Sequence, residues 1–104
     1  MKRIYYKLDG KNAVPCNDVL KWCRWFEECK DRHVADITLN NVRISTVFLG
    51  IDHAFGGALP LLFETMVFGG PLDGEQERYS TWEQAERGHA EMVYRIGQGQ
   101  PKGV

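Results

Sequence analysis

The chain has 104 residues, of which 43% are hydrophobic and 26% charged, a length that supports one domain with one core and leaves no room for separate catalytic and regulatory modules. Its net charge of −1 and the scatter of its lysines and arginines lack the electrostatic footprint of a sequence-independent nucleic-acid binder, and no run approaches the roughly 18 apolar residues of a membrane span. Cys16, Cys23 and Cys29 are odd in number and form no Cys-x-x-Cys pair or common zinc spacing, so free thiols in a cytoplasm, with no metal and no cofactor, are the expectation where residues 1 to 15 also lack an apolar leader.

In chain order, Ile4, Tyr6 and Leu8 alternate with Tyr5 and Lys7, the period of a half-buried strand, and Asp9-Gly10 turns it. Asn17 then opens a helix expected over residues 18 to 31, with Val19, Trp22, Cys23, Phe26 and Cys29 at helical spacing. HVADITL and VRISTVFL flank Asn40-Asn41, which suits the type I′ turn of a tight hairpin. Leu39 opposite Val42 sets Ile37 on Ile44 and Ala35 on Thr46, and brings His33 toward Phe48. After the loop from Asp52 to Pro60, LLFETMVF forms the next strand. Pairing Ile51 with Leu61 places Leu62, Glu64, Met66 and Phe68 on the helix-covered face, and Val47, Leu49, Ile51, Phe63 and Val67 on the other.

A polar connection leads to STWEQAERGHAEMVYRI, where Ser80 and Glu83 have the spacing of a capping box and Trp82, Ala85, His89, Met92, Val93 and Ile96 form an apolar stripe. The expected fold is a single α+β domain over 1 to 96, an antiparallel sheet of about four strands with two helices packed on one face, in the order β-α-β-β-β-α. Residues 97 to 104 are too polar and glycine-rich to pack and are expected to form a flexible tail.

Few residues invite chemistry, and each has a plainer role. His89 stands in an apolar helical stripe beside Gly88; it suits a base or a ligand, and more commonly a core histidine bonded to a neighbour. Glu64 is a carboxylate on a strand face assigned to the helices, either a general base or a hydrogen-bonding partner of His89 or a tryptophan. Asp52 and His53 resemble an acid/base or binding pair, although neighbours on a strand diverge and Asp52 also serves a turn. Glu64, His89 and His53 are thus the catalytic candidates. Trp22 and Trp25, with the nearby tyrosines and Phe26, could form a stacking platform, or could be core.

STVFLGIDHAFGG, PLLFETMVFGG and YSTWEQAERGHAEMV, with the amino-terminal YYKLDGK and the helix KWCRWFE, resemble a family of small proteins encoded by tailed phages and bacterial prophages, for which no activity is established. The likeness covers almost the whole chain and departs from the family after Asp52-His53, where Ala58 and Leu59 interrupt a glycine- and proline-rich stretch. It implies a phage or prophage product in the bacterial cytoplasm. The leading expectation is a protein that binds a host or phage protein and modulates a host function, and that forms a homodimer through an apolar patch of Val47, Leu49, Phe63 and Val67. The alternative is a small, hydrolase-like enzyme or ligand-binding protein built on Glu64 and His89.

Overall fold

The computed structural model describes residues 4–29, 31–54 and 59–98. Strands β1 (Tyr6–Asp9) and β2 (Asn12–Pro15) form a hairpin, followed by helix α1 (Val19–Glu28). Strands β3 (His33–Leu39), β4 (Val42–Phe48), β5 (Phe63–Phe68) and β6 (Gln76–Tyr79) come next, and helix α2 (Trp82–Gly97) closes the chain. The fold is α+β, and β3-β4-β5-β6 is an antiparallel meander. Two short strands, β2 and β6, add to the expected order. Neither has the apolar alternation of a half-buried strand, and β6 reads Gln-Glu-Arg-Tyr.

Asn40 and Asn41 have φ of 52° and 67°, as the type I′ turn between β3 and β4 requires. From there Leu39 faces Val42, Ile37 faces Ile44 and Ala35 faces Thr46; a bulge then moves His33 from Phe48 to Val47. Between β4 and β5 the register differs by one residue from the expected pairing: Ile44 faces Val67, Thr46 faces Thr65 and Phe48 faces Phe63. A one-residue slip exchanges the two faces of a strand. Phe63 and Val67 are therefore fully buried in the core, while Glu64, Met66 and Phe68 belong to the opposite face.

Helix α2 lies across all four strands of the meander. Its buried residues Ala85, His89 and Met92 match the stripe read from the sequence. Its cap is Thr81 with Gln84, one residue beyond the Ser80 and Glu83 expected. Likewise Asp18, not Asn17, caps α1, its carboxylate accepting from the N–H groups of Leu20 and Lys21, and α1 stops at Glu28. The described part of α2 reaches Gly97, and the expected tail past Gln98 lies outside the described residues.

Helix α1 packs on the β1–β2 hairpin. Trp22 Nε1 donates to the Tyr6 carbonyl at 2.8 Å, and its ring with that of Phe26 sits against Gly50, where a Cβ would lie 3.1 Å from the indole. Gly50 has φ of +80°, so glycine meets both the close approach and the backbone there. Trp25 reaches the sheet core edge-on to Phe48, and Trp82 from α2 meets Phe63 in the same way. The core thus has two apolar clusters: Val42, Ile44, Val67, Leu72 and Met92 in one, and Phe48, Leu62, Phe63 and Ala85 in the other.

Candidate functional site

Between those two clusters the core is polar. Thr46 and Thr65, fully buried and directly opposite each other, join hydroxyl to hydroxyl. His89 Nδ1 lies 2.7 Å from Thr46 Oγ1, and the Tyr79 hydroxyl donates to Thr65 Oγ1 at 3.1 Å. One direction of donation, Tyr79 to Thr65 to Thr46 to His89 Nδ1, gives each of the three hydroxyl protons an acceptor and leaves His89 neutral with its proton on Nε2. Burial holds the His89 pKa below its ordinary value, only partly offset by the charge of Asp36. Burial also raises the Tyr79 pKa, with its bond to Thr65 opposing the rise. Gly88 completes the cluster: a Cβ there would lie 2.1 Å from the Tyr79 oxygen, so the tyrosine ring occupies the space a side chain would need.

Glu64 lies outside this cluster. It is next to Thr65 on β5 and so points to the other face, where its carboxylate accepts from Arg78 Nε at 2.9 Å across the β5–β6 pair. The expected pairing of Glu64 with His89 is thereby corrected: the sheet separates them, and no acid/base dyad forms. The register explains the difference, because Thr65 takes the helix-covered place opposite Thr46 that the expected register gave to Met66, and Glu64 turns with Met66 to the other face.

Asp52, 3% exposed, holds the base of its loop, with one oxygen, Oδ1, accepting from Ala54 N–H at 2.8 Å and Leu61 N–H at 2.9 Å. His53 turns its Nδ1 to the Ile51 carbonyl at 2.9 Å, which requires the proton on that nitrogen. Asp52 and His53 therefore serve the turn, while residues 55 to 58 of the loop lie outside the described residues. Trp22 is buried with its N–H on a carbonyl, and Trp25 is half-buried and meets Phe48 in an edge contact, so both rings contribute to the packing of α1. Among the described residues no group of three His, Cys, Asp or Glu side chains could hold a metal, and no helix is long and apolar enough to cross a membrane.

Two surfaces remain, one of them the sheet face expected to be exposed, with different residues on it, and the other not foreseen from the sequence. The first is the sheet face opposite α2. Val47, Met66 and Phe68 run diagonally across it, Phe68 being 48% exposed. Arg43 and Asp36 flank the diagonal on the β3 side, joined by bonds of 2.8 and 3.1 Å that hold the Asp36 pKa below the usual carboxylate range. Glu64 and Arg78 flank it on the β6 side. Phe63 and Val67, expected on this face, lie in the core instead, and Met66 and Phe68 stand on the open face. Its signal in the sequence was hidden because FETMVF is apolar on both faces. The second surface is an open groove of about 450 Å³ between β6 and α2. No family model, curated protein or solved structure matches this chain.

Proposed function

We propose that this protein acts by binding another protein through the uncovered face of its four-stranded sheet. One observation carries the reading: Val47, Met66 and Phe68 form an apolar centre on the face that α2 leaves open, bordered by the Asp36–Arg43 and Glu64–Arg78 ion pairs. An apolar centre inside a charged rim is the anatomy of a protein interface, whereas a sheet face made only for water would carry polar residues at those positions. The resemblance to small proteins of tailed phages and prophages supports a setting in the bacterial cytoplasm and a host or phage protein as partner, with modulation of a host function as the outcome. A second copy on the same face gives a homodimer. The enzyme reading has lost the Glu64 and His89 pair on which it rested.

Affinity capture from bacterial lysate with mass spectrometry, combined with sedimentation of the purified protein, tests the proposal. A single stoichiometric partner, or a stable dimer closed over Phe68, supports it. A monomer that captures no protein and co-purifies with a metabolite or metal it turns over argues for the enzyme.

A further inference from the structure

Tyr79, Thr65, Thr46 and His89 come from β6, β5, β4 and α2, and their polar atoms form one line: Tyr79 Oη, Thr65 Oγ1, Thr46 Oγ1, His89 Nδ1. Each contact along the line holds one proton. With Nδ1 as an acceptor, Thr46 donates to it, Thr65 to Thr46 and Tyr79 to Thr65. With a proton on Nδ1, the contact to Thr46 is already filled, so Thr46 must donate to Thr65 and Thr65 to the Tyr79 oxygen. The Tyr79 proton then leaves the line. It has a place to go, because Tyr79 and Glu91 both line the open groove between β6 and α2, and Glu77, opposite Thr65, shares the Tyr79 face of β6. Both carboxylates act on the Tyr79 hydroxyl through space.

We propose that this line is a switch with two directions: one proton taken up from solvent by His89 reverses every bond in it, and the Tyr79 hydroxyl turns from an inward donor into a donor to the groove. No other proton is gained or lost, since Nε2 keeps its own and each oxygen keeps one. The groove thus meets lone pairs of Tyr79 in one state and an O–H in the other. The switch is independent of the open sheet face. Charges of both signs surround the ring. Burial disfavours the imidazolium and Asp36 of β3 favours it. Strands β4 and β5 bring no charge to this side of the sheet, because Arg43 and Glu64 lie on the other face in ion pairs with Asp36 and Arg78. Glu77 comes from β6, Glu75 just before it is 3.9 Å from Arg95, and α2 itself adds Glu86, Arg87 and Glu91.

The test is NMR of the full chain, with nitrogen-15 in histidine and carbon-13 at the tyrosine Cζ, from pH 8 to 4. At pH 8 neutral His89 is expected to carry its proton on Nε2. On acidification its ring nitrogens should titrate below the ordinary 6.5, and the Tyr79 Cζ signal should move with the same midpoint. Thr65→Val cuts the line and should leave His89 titrating with Tyr79 silent, while Thr65→Ser should restore the coupling. Tyr79→Phe removes the oxygen that Thr65 needs in the reversed line, so the His89 midpoint should shift further down. The wild-type midpoints carry the test by themselves where a variant does not fold. A proton on Nδ1 at pH 8, a Tyr79 signal that ignores His89, coupling that survives Thr65→Val, an unchanged or raised midpoint in Tyr79→Phe, or unfolding at the His89 midpoint would each overturn the switch. So would a Tyr79 transition that disappears in the double variant Glu77→Gln with Glu91→Gln, because it would then belong to those carboxylates.

Discussion

His89 shows how one buried side chain ties stability to pH. Its imidazole accepts from Thr46 in the middle of the core and burial depresses its pKa from the ordinary 6.5. Above that value neither the folded nor the unfolded chain protonates this residue, and its contribution to stability is complete. As the pH falls below 6.5, the unfolded chain takes up the proton first, so stability declines until the folded-state pKa is reached and then levels off. Denaturation midpoints measured from pH 8 to 5 should fall for the wild type by more than for His89→Gln, whose amide can still accept from Thr46. Equal slopes would show that His89 does not carry the effect. Asp52 allows a sharper comparison, because both of its bonds reach a single oxygen. Asp52→Asn keeps that oxygen and should stay close to wild type. Asp52→Ala orphans two backbone N–H groups and should cost about 2–3 kcal/mol in urea denaturation.

At the scale of elements, the register of β5 decides which residues are core. With Phe63 fully buried against Phe48 and Trp82, Phe63→Ala should destabilise the fold by about 3–5 kcal/mol. Phe68→Ala, on the open face, should cost under about 1 kcal/mol. Thermal melts that reversed this order would restore the register in which Phe68 faces the helix. The sequence displayed α2 clearly, since one apolar stripe and a capping pattern agreed, and it displayed the β3–β4 hairpin through two asparagines with a single good conformation. It concealed the β4–β5 register for a physical reason. Phe63 and Val67 on one face are matched by Met66 and Phe68 on the other, and the truly covered face carries Thr46 and Thr65, polar residues whose hydrogen bonds with each other and with His89 of α2 no periodicity reveals. The loop that sets the register is fixed by the Asp52 carboxylate, a contact between residues nine apart. The candidate site failed with the register: a slip of one residue moved Glu64 across the sheet from His89. Strand β6 was missed because its only half-buried residue is Tyr79.

Taken whole, the molecule spends its chemistry-bearing residues on its own architecture. His89 and the threonines join two apolar clusters, Asp52 closes a loop, Trp22 fastens α1 to the hairpin, and Glu64 pairs with Arg78. What the fold leaves uncommitted is surface: the Val47, Met66 and Phe68 diagonal and the groove between β6 and α2. The most direct measurement of the binding reading is quantitative capture of a protein partner by three forms of the chain at equal concentration: wild type, Phe68→Asp, and Leu20→Asp as a control at a 76% exposed position on α1, each shown by melting to be folded. A charge in the apolar centre of an interface should weaken capture by at least tenfold, a loss of about 1.4 kcal/mol or more. A stoichiometric partner retained by wild type and Leu20→Asp and lost by Phe68→Asp is the expected result; a partner held equally by all three forms would contradict binding through the open sheet face.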